Sequence, residues 1–80
     1  MHYVYIINSI NHPDKCYTGY TINPEQRLND HNSGKSTHTN KYRPWKLITY
    51  ISFESKEKAL KFEAYLKTGS GRAFAAKHLK

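Results

Sequence analysis

The sequence holds one cysteine, Cys16, so no disulfide can form within the chain. That excludes a cystine-stapled secreted mini-protein. Acidic residues are scarce: Asp14, Glu25, Asp30, Glu54, Glu57 and Glu63 are all there are. No apolar run approaches the ~20 residues that cross a bilayer. Met1 to Asn8 lacks the basic-then-apolar layout of a signal peptide. No Asn-x-Ser/Thr acceptor, internal repeat or linker-like tract occurs. These absences point to a cytoplasmic chain, one domain over residues 1–80, with no membrane partner.

What is present is positive charge. Lys and Arg number 13 against 6 acids, a net charge of +7. No acid lies between Lys35 and Phe53, a stretch with Lys35, His38, Lys41, Arg43 and Lys46. None follows Glu63, where Lys67, Arg72, Lys77, His78 and Lys80 stand. Seven Tyr, three Phe and one Trp are interleaved with these cations. Cations for phosphates and rings for bases suit a nucleic-acid partner. The plainer reading is a solvated surface with tyrosines in strands.

Residue patterns predict the order β-β-α-β-α-α. His2 to Asn8 is β-branched and aromatic, so it reads as a strand; Asn11 to Lys15 is a turn; Cys16 to Thr21 is a second strand antiparallel to the first. Asn23-Pro24-Glu25 is a helix start, and the helix runs to Asn32–Ser33 with Gly34 as its stop. Lys35 to Pro44 is polar and irregular, and Trp45 to Phe53 is a third strand. Ser55 caps a helix from Lys56 to Thr68 with Ala59, Phe62 and Leu66 on one stripe. Gly69-Ser70-Gly71 breaks it, and Ser70 caps a last helix from Arg72 to Leu79. The fold class is a small α/β (α+β) domain, one three-stranded antiparallel sheet flanked by helices.

Several residues do not fit their surroundings. Glu63 borders the stripe of its helix, where an ionised carboxylate needs a cation, a donor or the edge of a cleft. Metal binding or catalysis would use it; a salt bridge to a neighbouring Lys is the alternative. Arg27 and His31 are four apart and share a helix face. An Arg fork suits phosphate and a His can move protons near neutral pH, but two solvent-facing residues would show the same spacing. Tyr5 and Tyr17 can meet across the first two strands, as catalytic phenols or as simple cross-strand packing. Gly19 inside a strand implies a close approach. Gly34-Lys35-Ser36 is no phosphate-binding P-loop, because Asn29 stands where its first Gly belongs and the helix precedes it. Five His and one Cys give no structural zinc pattern.

Together these residues resemble the GIY-YIG endonuclease superfamily, in particular its small standalone YhbQ-like members and the N-terminal nuclease domain of the excision-repair protein UvrC. Tyr3-Val4-Tyr5 stands at the "GIY" position and Tyr17-Thr18-Gly19 at "YIG". Asn23-Pro24, Arg27-Leu28, His31-Asn32 and Ser33-Gly34-Lys35 are similar to the strand-to-helix signature, and Glu63 falls where the family carries its metal-binding glutamate. Tyr3 replaces the first Gly, and Tyr20 stands where excision-repair members have Lys.

The resemblance implies a metal-dependent endonuclease acting on nucleic acid, DNA ahead of RNA, in repair or recombination. Glu63 would hold Mg2+ or Mn2+, Arg27 would stabilise charge on the phosphate, and Tyr5 or Tyr17 would position or deprotonate the water, with His31 as proton relay. Gly19, Lys35, Lys41, Arg43, Lys46, Arg72 and Lys77 would lie along the nucleic acid. A homodimer or a protein partner would supply specificity. The alternative is a nucleic-acid-binding module that is catalytically weak or inactive; a protein-interaction subunit using the Tyr/Trp-rich surface is a third.

Overall fold

In the computed structural model, which describes Met1 to Lys80, β1 (His2–Ser9) lies at the centre of a three-stranded antiparallel sheet. β2 (Cys16–Thr21) pairs with one side of it and β3 (Trp45–Phe53) with the other. This explains the unbroken apolar run in β1: Val4, Tyr5, Ile6 and Ile7 are all buried, because helices cover both faces of the sheet.

One face carries Val4 and Ile6, packed with Ala59, Leu66 and Ala75 of the two C-terminal helices. The other carries Tyr5, Ile7 and Trp45, packed with Leu28 of α1 (Pro24–Asn32) and with Tyr17, Tyr42 and Leu47. α1 begins as its sequence predicts. The Asn23 side chain accepts from the Gln26 N–H at 3.1 Å, Pro24 opens the helix, and Gly34, at φ +84°, ends the exit turn. The polar segment after it contains one short 3-10 turn, Asn40–Tyr42.

The C-terminal half departs from the sequence reading. α2 (Lys56–Leu66) stops two residues short of Thr68, and α3 (Gly69–His78) starts three residues before Arg72. The cap of α3 is Thr68, not Ser70: its Oγ1 accepts from the Gly71 N–H at 3.1 Å. Gly69-Ser70-Gly71 is therefore the first turn of a helix, not a break. The glycine at 71 has another purpose. A Cβ there would collide with the Tyr65 carbonyl oxygen and Leu66 Cα, so its absence lets α3 pack against the end of α2. No helix is long and apolar enough to cross a membrane.

Candidate active site

The β1–β2 register places Tyr5 opposite Gly19 and Ile7 opposite Tyr17. A Cβ on Gly19 would collide with the Tyr5 ring and hydroxyl. The close approach implied by that glycine is thus to a phenol of its own chain. Gly19 is buried beneath Tyr5, which corrects its expected place along the nucleic acid. The two phenols do meet, with ring centroids 6.3 Å apart.

α1 delivers His31 onto this pair. Its Nε2 lies 2.8 Å from the Tyr5 hydroxyl, and its Nδ1 lies 2.7 Å from Thr39 Oγ1. The Thr39 carbonyl in turn accepts from Trp45 Nε1–H at 2.9 Å. All four residues are buried. Burial, then the neighbouring Arg27 charge, lowers the His31 pKa, while Asp30 opposes the shift. A neutral imidazole has one N–H, so the ring donates to one hydroxyl and accepts from the other. Burial pushes the Tyr5 pKa up to about 12, with the Arg27 guanidinium offsetting part of the effect.

The His31 shift has a consequence for stability. Its folded pKa is depressed, so the unfolded chain binds the extra proton. This contribution is complete above the ordinary His value of about 6.5 and is lost as pH falls through the depressed value. The fall in melting temperature between about pH 7.5 and about pH 5 should be smaller in His31→Gln than in the wild type. Equal falls would assign the acid sensitivity to other groups.

Arg27 sits one turn before His31 but meets solvent, its side chain 36% exposed. The solvent-facing alternative fails for His31, which is fully buried, and holds only in part for Arg27, whose guanidinium also neighbours the Tyr5 hydroxyl. The Arg27 Nη1 is 3.9 Å from Asp30, which also pairs with Lys35 at 3.5 Å. The Gln26 amide, then the Lys35 and Arg27 charges, hold the Asp30 carboxyl below its usual range. So long an ion pair leaves part of the Arg27 fork, beside the Tyr5 hydroxyl, available to another anion.

Glu63 reaches the same neighbourhood from α2. Its side chain is 20% exposed, and Oε2 accepts from Lys67 Nζ at 3.2 Å. Lys67 Nζ also lies 5.9 Å from the centre of the Tyr17 ring. The salt-bridge reading of Glu63 is met by Lys67, which also lines a groove. An i,i+4 pair with a half-exposed lysine is worth a few tenths of a kcal/mol, so Lys67 can yield to another cation. Beside Tyr17 a groove of about 440 Å³ is lined by Asp14, Cys16, Lys67, Arg72 and Lys80 among others.

The remaining basic residues are spread out. Arg72 lines the groove. Lys35 adjoins Arg27 through Asp30. Lys41 and Lys15 lie over the Tyr42 ring, at 5.7 and 5.4 Å, and the Arg43 guanidinium lies near Gly34. Lys46 is exposed on β3, the sheet edge away from Tyr17, and Lys77 is exposed on α3 outside the groove. Three residues of the site escaped sequence reasoning: Thr39, Trp45 and Lys67. Lys67 was legible as the i+4 partner of Glu63. Thr39 sits in a polar run with nothing to single it out. A buried Trp does need a partner for its N–H, but the sequence does not say which.

The model of the GIY-YIG catalytic domain matches residues 1–77. The chain belongs to the GIY-YIG family. A UPF0213 protein of Staphylococcus haemolyticus is 41% identical over 70 residues, covering 86% of this chain and 83% of that protein. The SLX1 homologue of Giardia intestinalis, a structure-specific endonuclease subunit, is 37% identical over 65 residues, 76% of this chain. This GIY-YIG chain spans about a fifth of the length of that homologue and of its Drosophila mojavensis counterpart. The solution structure of the UPF0213 protein BH0048 of Bacillus halodurans is 32% identical with a TM-score of 0.56, covering 95% of this chain and 82% of that one.

Proposed function

We propose that this GIY-YIG domain is a metal-dependent endonuclease that hydrolyses phosphodiester bonds in nucleic acid, DNA before RNA, in repair or recombination. The observation that carries the reading is the convergence of Tyr17, Arg27 and Glu63 on the buried Tyr5–His31 pair. The relatives named as structure-specific endonuclease subunits support it.

The donor set fits a hard divalent ion. No group of three or more His, Cys, Asp or Glu gathers anywhere, and Glu63 would serve as a carboxylate ligand without such a cluster. Mg2+ accepts that, since it keeps most of its waters and takes one or two protein carboxylates plus phosphate oxygens; Mn2+ would serve in the same place. Held at Glu63, the ion would supply Lewis-acid charge relief for the phosphate and the leaving oxygen.

The other roles follow from the geometry. The Arg27 fork stabilises the charge that grows on the phosphate oxygens. Tyr5, its pKa pushed up to about 12, keeps its proton at neutral pH and positions rather than deprotonates. His31, held neutral between two hydroxyls, fixes the orientation of Tyr5. Tyr17 is the half-exposed phenol, bordering the groove beside the Lys67 ammonium; its oxygen accepts a hydrogen bond from the attacking water and orients it, and the water's proton passes to solvent. The water oxygen bonds to phosphorus as the leaving oxygen departs. Arg72, Lys35, Lys41 and Arg43 hold the flanking backbone. A second copy or a separate partner subunit supplies target choice.

The test is a panel of single-stranded, duplex, flap and nicked DNA and RNA, incubated with Mg2+ or Mn2+ and with EDTA. Metal-dependent products on at least one substrate are expected. Salt-sensitive binding without product on any of them would leave a nucleic-acid-binding module in place of the enzyme.

A further inference from the structure

Across α2 from Glu63 lies a surface that this chemistry does not use. Five rings run outward in contact. The centroid separations are 5.5 Å for Phe53–Phe62, 6.1 Å for Phe62–Tyr65, 6.1 Å for Tyr65–Phe74 and 5.0 Å for Phe74–His78. Phe62 also meets Phe74 edge-on at 6.3 Å. The inner two rings, Phe53 and Phe62, pack against the core. The outer ones do not: Tyr65 is 41% exposed, Phe74 36%, and His78 is open to solvent.

Cations accompany the outer rings. Lys61 and Lys58 stand four and seven residues before Tyr65, on its side of α2, and Lys77 follows Phe74 by three on α3. None of these three lysines takes part in any of the protein's four salt bridges. Glu63 is two residues from Tyr65, about 200° around a helix roughly 10 Å thick. The ring surface and the carboxylate therefore occupy opposite flanks of one helix.

Core packing accounts for Phe53 and Phe62 but not for rings that keep more than a third of their surface in water. Exposed rings flanked by unpaired ammonium groups match the needs of a single nucleic-acid strand: π-faces for the bases, charge for the phosphates. A duplex keeps its base faces stacked inside, so the rings would gain nothing from it. A second copy docked symmetrically would set Lys58, Lys61 and Lys77 against their own images.

We propose that the Tyr65–Phe74–His78 face stacks the unpaired bases of a single-stranded segment. The substrate of the endonuclease would then carry a single-stranded arm beside the cleaved phosphate, a step that rests on the functional reading above. Binding itself does not, so it is measured in the full chain carrying Glu63→Gln, in EDTA, by fluorescence anisotropy with a labelled oligo-dT and with a blunt duplex. Tyr65→Ala and Phe74→Ala should each weaken oligo-dT binding about tenfold and leave duplex binding within about twofold. Tyr65→Trp should retain the single-strand affinity, which separates loss of a ring from loss of fold. Unchanged oligo-dT binding in both alanine variants overturns the proposal, as does an equal loss on both ligands. Poly-glutamate binding that depends equally on Tyr65 would assign the face to an acidic protein instead. Tyr65-dependent single-strand binding in a wild type that cleaves nothing keeps this surface and removes the nuclease reading.

Discussion

Glu63→Gln should reduce metal-dependent cleavage on the order of a hundredfold to a thousandfold, with the melting temperature nearly unchanged. The substitution keeps the shape of the side chain and removes its charge. What the fold loses is one ion pair with a half-exposed lysine, worth ~0.3–0.5 kcal/mol at an i,i+4 spacing. What the reaction would lose is the carboxylate whose charge acts on Tyr5. Arg27→Ala should cost a similar factor, because its partly exposed guanidinium neighbours the Tyr5 hydroxyl and makes only a long ion pair with Asp30. Arg27→Lys should fall between, keeping the charge but not the planar pair of donors. The readout is single-turnover cleavage of the best substrate, with thermal melts of each variant. Cleavage by Glu63→Gln at the wild-type rate would remove Glu63 from the chemistry.

The second large effect is on stability, and it contrasts two glycines two residues apart. Gly71→Ala should destabilise the protein by about 3 kcal/mol, lowering the melting temperature by roughly 12–24 °C for a domain of this size. The added methyl meets the Tyr65 carbonyl and Leu66 Cα, which are backbone atoms and cannot rotate aside. α3 would have to lift away from α2, uncovering Ala75 and Leu66. Gly69 has nothing within 4 Å of where its Cβ would be. Gly69→Ala should therefore stabilise by about 0.4–1 kcal/mol, through the lower entropy of the unfolded chain. Thermal melts of the two variants test this, and similar curves for both would contradict the packing argument.

These glycines also show where sequence reading succeeds and fails. Asn23-Pro24 and Ser55 were legible as helix starts because a cap acts on backbone two or three residues away. The sheet was legible for a similar reason: β1 and β2 are joined by a short turn, and β1 is apolar on both faces. Gly69-Ser70-Gly71 misled because helix propensity counts glycine as a breaker, whereas here Thr68 caps and α2 demands the missing side chain. At the site, Tyr5, Tyr17, Arg27 and His31 come together as their spacing and register suggest. Thr39 was not legible, since its contact with His31 depends on how an irregular segment folds back. Gly19 was legible as a close approach, but not as one to Tyr5.

The central place of β1 bears on how the protein is made. β1 precedes β2 and β3 in the chain yet finishes in the middle of the sheet, so Val4 to Ile7 are made well before the residues of β3 that cover their second edge. At roughly 5–20 residues per second, the wait for Trp45 to Phe53 lasts on the order of seconds. During that interval the nascent segment is apolar, β-prone and open on an unpaired edge, a description that invites chaperone contact or misassociation. Tyr5 and Glu63 come from opposite ends of the same order, so a chain cut short after β3 would carry the phenols without the carboxylate.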